Sequence, residues 1–190
     1  SPVINFAADG IDAAHSFRIE ECVFAGADPV AGQPFSLAKL DIALLRVRKD
    51  NAAGTPFPDP LPLSDKPALS KGRHLFVIGY PAAPLVLPRD EDGQTRRDVV
   101  EQLRNIYGGD YGHKHLSPGL VLDAASAVPD SPQGWTFTHD ATSLGGNSGS
   151  CVLSGDDDVT VVGLHFAGDW LRANFAHDLA LIRDKFEHLL

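Results

Sequence analysis

Short runs of β-branched, aromatic and other apolar residues recur along the 190-residue chain. Each run has the length of a β-strand, and glycine, proline, asparagine and aspartate are frequent in the gaps. Many short strands separated by turns are typical of a barrel or a sandwich. The sequence therefore predicts an all-β fold with strands at residues 3–7, 17–24, 41–47, 75–78, 119–122, 135–139, 150–153, 159–165 and 174–176.

Two segments depart from the strand pattern. Residues 95–107 repeat apolar residues at helical spacing, with Thr95 as the expected N-cap and Gly108 as the stop. Residues 179–190 show the same spacing. We expect a helix inside an insertion spanning about 82–118, and a second helix at the C-terminus.

Composition and charge exclude several kinds of partner. The formal net charge is −9 and the basic residues are scattered, so nucleic acid would be repelled. No stretch approaches the roughly 18 apolar residues of a membrane-spanning helix, so no membrane partner is expected. Cys22 and Cys151 could pair in a disulfide, but we expect two buried free thiols. His113 and His115 lack further ligands at suitable spacing, so no metal site is expected. No organic cofactor is expected either.

The run Gly-Gly-Asn-Ser-Gly-Ser at residues 145–150 has the composition of a nucleophile loop. Glycines beside Ser148 allow backbone N–H groups to point toward an oxyanion. A plain turn between two strands is the alternative that such composition usually indicates. An α/β-hydrolase elbow is excluded, because it needs Gly-x-Ser-x-Gly before a helix, whereas Ser150 stands at the last position and a strand follows.

Three motifs occur in an order that resembles one family. They are Leu-Asp-Ile-Ala-Leu-Leu at residues 40–45, the 145–150 loop, and Val-Val-Gly-Leu-His-Phe-Ala-Gly at residues 161–168. Together they resemble the trypsin-like (chymotrypsin-fold) serine proteases, nearest the branch of the glutamyl endopeptidases. The resemblance implies a double β-barrel closed by a C-terminal helix, with a peptide or protein as substrate.

The resemblance also implies an organisation for the chain. Residues 1–50 would form a partial N-terminal barrel, because too few residues precede Asp41 for a complete one. Residues 51–72 would form a proline-rich linker, and residues 73–190 the C-terminal barrel. Since the chain starts at Ser1 and contains no methionine, we expect it to be part of a longer polypeptide with other domains.

Catalytic roles follow from the same resemblance. Ser148 would be the nucleophile, and a buried Asp41 would accept a hydrogen bond from Nδ1–H of the triad histidine. The backbone N–H groups of Gly146 and Ser148 would form the oxyanion hole. Asn147 replaces the aspartate that pairs with a new N-terminus in digestive members, so activation by such a terminus is not expected.

The identity of the catalytic base stays open. His15 is the only histidine before Asp41, but the residues around it favour an exposed turn. The other interpretation places the triad histidine N-terminal to Ser1, and turn composition favours it. His139 is expected to be structural. His74, His177 and His188 are expected at the surface or at strand ends.

The substrate residue preferred before the cleaved bond is predicted from the positions that would line the pocket for its side chain. Thr142 stands where members that cleave after Lys or Arg carry an aspartate, so a basic preference is not expected. Ser143 and His165 resemble the hydroxyl and histidine that hold an acidic side chain in glutamyl endopeptidases. His165 as a simple barrel-wall residue is the equal alternative. Phe166 to Gly168 would pair with the substrate backbone.

The sequence therefore predicts a serine endopeptidase that works through an acyl-enzyme on Ser148. The alternative is an inactive pseudoprotease-like module that binds a peptide or partner without cleaving it.

Overall fold

The computed structural model describes residues 2–7, 10–26, 36–67, 70–156, 159–169 and 171–189. Its strands are β1 (Val3–Asn5), β2 (Ser16–Ala25), β3 (Ala43–Val47), β4 (His74–Gly79), β5 (His115–Asp123), β6 (Thr136–His139), β7 (Cys151–Ser154), β8 (Val161–Asp169) and β9 (Ala173–Asp178). Its α-helices are α1 (Arg97–Tyr107) and α2 (Leu179–Ile182). Short 3-10 helices lie at Ala13–His15, Ala125–Ala127, Arg183–Lys185 and Glu187–Leu189.

Strands β4 to β9 form a closed barrel in the order β4-β5-β6-β9-β8-β7, with every neighbouring pair antiparallel. Its core contains Leu75, Phe137 and Val152, each with no exposed surface. Gly163 gives the Phe137 ring its space, because a Cβ there would lie 2.7 Å from a ring carbon. Closure leaves no unpaired strand edge in this half.

Strands β1, β2 and β3 form a separate antiparallel sheet in that order. Phe17 is its one fully buried aromatic side chain among the described residues, and Phe6 and Phe57 contact it edge-on. The prediction of an all-β fold with a C-terminal barrel and a C-terminal helix is confirmed. Within the described residues the first half has three strands and does not close.

Helix α1 begins two residues later than predicted. Arg96 is the N-cap, with no side-chain hydrogen bond, so the expected cap at Thr95 is wrong. Gly108 ends the helix in the left-handed conformation at φ 60°, as predicted. The apolar face of α1 packs on Leu144, beside the 145–150 loop. The insertion thus lies against the candidate site.

The C-terminal helix is shorter than predicted. Asp178 caps α2 by accepting hydrogen bonds from the N–H groups of Ala180 and Leu181, but α2 ends at Ile182. Two 3-10 turns follow. These turns bring Phe186 into an apolar cluster with Leu179 and Ile182. The Phe186 ring is therefore buried where the α-helix has ended.

The structure also bears on the predictions made for the cysteines, the linker and membrane-spanning segments. Cys22 is exposed and Cys151 is half-buried, so the prediction of two buried thiols is wrong, although both are free. Among the described residues 48–67 and 70 there is no helix or strand, only a bridge from Leu63 to Val161. The boundaries 1–50, 51–72 and 73–190 stay a prediction. Within the described chain, every helix is too short or too polar to span a membrane.

Candidate active site

Two consecutive turns shape the loop before β7. Asn147 N–H donates to Leu144 O at 3.1 Å, and Ser150 N–H donates to Asn147 O at 2.9 Å. Gly146 and Gly149 hold the third position of these turns, with φ angles of 94° and 89°. A positive φ at that position is the mark of a type II turn and favours glycine. The glycine pattern at 145–150 is therefore a conformational requirement.

Gly146 is also confined by a neighbouring segment. A Cβ on Gly146 would lie 2.6 Å from Tyr80 O and 3.1 Å from Ala82 N. Ala82 N–H donates to Gly145 O at 2.7 Å. A side chain at position 146 would displace this segment as well as strain the backbone.

Three N–H groups of the 145–150 loop have no acceptor within the described part of the chain. The N–H groups of Asn147, Gly149 and Ser150 are all bonded, and that of Gly149 reaches His165 O on β8 at 2.8 Å. Gly145 N–H, Gly146 N–H and Ser148 N–H make no such bond. Gly146 and Ser148 are the pair that sequence reasoning assigned to the oxyanion hole, and an oxyanion needs donors of this kind.

Ser148 is exposed at the rim of a cavity. Its hydroxyl donates to the backbone carbonyl of Phe166 at 3.0 Å. No histidine in the described residues is hydrogen-bonded to this hydroxyl.

Asp41 lies two residues before β3 and is exposed, so the expectation that it is buried is wrong. Its backbone N–H donates to His177 Nε2 at 3.0 Å. His177 has no exposed surface and is the fifth of the six residues of β9, so of the two predicted positions it has the strand end and not the surface. This contact joins the segment before β3 to the closed barrel.

His15 ends a 3-10 turn, and Asp12 caps that turn. Its Nδ1 lies 2.7 Å from Asp12 Oδ2, and both side chains are about half exposed. The pKa of Asp12 is lowered, first by the hydrogen bond from Ala14 N–H and then by His15. The histidine is thus placed in an exposed turn, and the structure does not bring it together with Ser148.

A cavity of about 450 Å³ lies between α1, the 145–150 loop and the β8–β9 hairpin. Five of the predicted site residues line it: Thr142, Ser143, Ser148, His165 and Gly168. Phe166 does not line it and is buried. Sequence reasoning missed the wall supplied by α1, including Gln102 and Ile106. The amphipathic pattern signalled a helix but not where it packs.

Sequence reasoning also missed Asn174, which holds one side of the cavity. The Ser143 hydroxyl donates to Asn174 Oδ1 at 2.6 Å, and Asn174 Nδ2 donates to Ala141 O at 2.8 Å. Gly168 leaves room for this amide, since a Cβ there would lie 2.4 Å from Asn174 Oδ1. The Ser143 hydroxyl proton is therefore engaged by Asn174.

His165 lines the cavity, is almost fully buried and is paired with a second histidine. Its Nδ1 lies 3.3 Å from His139 Nε2, and both rings are almost fully buried. Burial lowers the pKa of His165 to about 4. Burial, and to a lesser degree His165, lowers the pKa of His139 to about 3. Both rings are neutral at pH 7. His139 Nδ1 has no hydrogen-bond partner in the described residues.

Within the described residues, no group of three or more His, Cys, Asp or Glu side chains is arranged to hold a metal ion.

Comparison with known proteins gives a family. Residues 6–164 match the model of the trypsin-like peptidase domain. A probable serine protease of Lysobacter enzymogenes is 33% identical over 177 residues, which is 90% of this chain and 42% of that protein. A crystal structure of the Rv3671c protease of M. tuberculosis, in an inactive form, has a TM-score of 0.49 and 14% identity, over 91% of this chain and 66% of that one.

The chain thus spans less than half the length of its Lysobacter relative. The family match covers most of the chain and includes the loop that carries Ser148. The chain belongs to the trypsin-like peptidase domain family.

Proposed function

We propose that this chain is a serine endopeptidase domain in which Ser148 forms an acyl-enzyme with the substrate. The observation that carries the proposal is that Gly146 N–H and Ser148 N–H have no acceptor among the described residues and are held by two type II turns beside the serine. Such donors stabilise the negative charge that develops on the carbonyl oxygen as the hydroxyl attacks.

The chemistry needs a base that takes the Ser148 proton. The hydroxyl now donates to Phe166 O, so it must turn away from that carbonyl before an imidazole can accept its proton. His15 is held by Asp12 in an exposed turn. We therefore place the base on a histidine outside these 190 residues. Asp41 would orient its imidazole and stabilise the imidazolium.

The preferred side chain before the cleaved bond is proposed to be acidic. His165 lines the cavity, and Thr142 places no carboxylate there. If His139 Nε2–H donates to His165 Nδ1, a neutral His165 carries its proton on Nε2 and can donate to a substrate carboxylate. Two carboxylates do line the cavity, those of Asp140 and Asp169, and each has a partner within the protein. Asp140 accepts a hydrogen bond from Leu120 N–H, and Asp169 forms an ion pair with Arg172.

Reactivity toward a fluorophosphonate probe tests the nucleophile. In the full-length gene product, Ser148→Ala should abolish labelling and lower peptide hydrolysis by roughly a thousandfold or more. Ser70→Ala, at an exposed serine away from the cavity, is the matched control and should change neither. Peptide binding without labelling or cleavage would replace the proposal with the pseudoprotease-like binding module.

A peptide library tests the preference on the same protein. Cleavage should follow Glu or Asp and should weaken in His165→Ala, while Ser148 still reacts with the probe. Cleavage mainly after Arg, Leu or Phe would leave His165 as a barrel-wall residue.

A further inference from the structure

His177 occupies a position where three parts of the molecule meet. It lies on β9, opposite Thr136 on β6 and Leu164 on β8, and is fully buried. Its ring stacks on that of Phe166, with centroids 4.1 Å apart and planes 10° from parallel. Phe166 is the residue whose carbonyl accepts the Ser148 hydroxyl.

Both ring nitrogens of His177 are engaged. A backbone N–H can only donate, so Nε2, which lies 3.0 Å from Asp41 N, must carry a lone pair. The proton of the neutral ring is then on Nδ1, 3.4 Å from Thr136 Oγ1. The contacts therefore select one tautomer.

We propose that His177 is the positioning residue that sets Asp41 relative to Ser148. Its Nε2 holds the backbone of Asp41, while its ring supports the residue that contacts the Ser148 hydroxyl. This inference rests on the proposed function, because it assigns Asp41 and Ser148 to one catalytic apparatus. A packing role would depend only on the shape of the His177 ring. The positioning role also depends on the hydrogen-bond acceptor at Nε2.

The charge state of His177 fits this role. Burial lowers the pKa of His177 to about 4, so Nε2 is unprotonated at pH 7. The titratable groups on the segments beside it are Asp41, Asp178 on β9, His139 on β6, and His165 and Asp169 on β8. His139 pairs with Asn174 and His165 with Ala176, so side-chain alternation places both histidines on the opposite face of the sheet from His177. The Asp178 carboxylate is already engaged as the cap of α2.

Two substitutions separate the acceptor from the ring. In the full-length protein, His177→Phe keeps a flat ring against Phe166 but removes the acceptor, whereas His177→Gln keeps an acceptor and loses the ring. We expect His177→Phe to lower kcat about tenfold with KM within about twofold, and His177→Gln to retain kcat within about threefold of wild type. His188→Phe, at an exposed histidine, is the control and should leave both constants unchanged. The opposite order, with Phe tolerated and Gln impaired, would reduce His177 to a packing residue.

A second measurement does not depend on activity. Long-range ¹H–¹⁵N NMR, with His177 assigned by loss of its signals in His177→Gln, should show the Nδ1–H tautomer from pH 8 to pH 5. The Nε2–H tautomer would overturn the inference even if the protein is an active protease. A wild-type Ser148 that never reacts with the fluorophosphonate would instead remove the proposed function, and the positioning role with it.

Discussion

The closed barrel and the three-stranded sheet before it bury their residues in different ways. Strand β6 is buried at all four of its positions, whereas β3 has no buried position. The barrel has both an interior and paired edges. The sheet has β1 and β3 at its edges, each with one partner strand among the described residues.

The difference shows how the sheet is supported. Four apolar side chains from β2, β3 and the segment before β3 pack against the C-terminal cluster of Leu179, Ile182 and Phe186. The four are Phe24, Leu40, Ile42 and Leu44. The hydrogen bond from Asp41 to His177 lies at the same junction. The barrel holds its own core, and the sheet depends on the barrel for part of its burial.

The largest expected effect is on the free energy of unfolding, when a phenylalanine is replaced by alanine in the barrel and, for comparison, beside the three-stranded sheet. Phe137→Ala removes a fully buried ring from the barrel core and should lower the free energy of unfolding by about 3–5 kcal/mol. Phe6→Ala removes a ring that is 38% exposed and makes two edge contacts, so it should cost about 1 kcal/mol. Urea unfolding measures both. Equal losses would mean that the sheet is packed as tightly as the barrel.

Acid should weaken the barrel through its buried histidines. The folded pKa values of His139, His165 and His177 are about 3, 4 and 4, below the unfolded value of 6.5. The unfolded chain therefore binds more protons between about pH 6.5 and pH 4, so stability falls as the pH falls. Each histidine contributes up to about 1.4 kcal/mol per pH unit.

Urea unfolding at pH 7.5, 6.5 and 5.5 checks this sign. Stability should decrease slightly between the first two values, where the unfolded histidines begin to bind protons, and about three times as much between the last two. A stability that rises on acidification to pH 5.5 would contradict the neutral, buried state of the three rings.

The two thiols provide the smallest contrast. Cys22 is exposed on β2, whereas Cys151 is half-buried on β7 and burial raises its pKa. In the native protein Cys22 should react with a disulfide reagent at least about tenfold faster. Cys22→Ala should leave only the slow phase. Equal rates would show that β7 opens as readily as the sheet.

The strands and the turns of the 145–150 loop could be predicted because their signals are local. Turn residues separate the strands, and Gly146 and Gly149 stand where positive φ angles are needed. The length of the C-terminal helix could not be predicted, because burial of Phe186 in a cluster with Leu179 and Ile182 depends on the packed barrel. The packing of α1 on Leu144 is equally non-local.

By itself the sequence determined the all-β pattern, the family and the serine that we propose as nucleophile. The tertiary structure decided the environments of Asp41 and His177, which are far apart in sequence. Asp41 was expected to be buried, and His177 was expected at the surface or at a strand end. Asp41 comes from an apolar run yet is exposed, and His177 comes from a strand end yet is buried. The physical reason is that burial depends on which elements pack together, and no local pattern encodes a hydrogen bond between residues 136 positions apart.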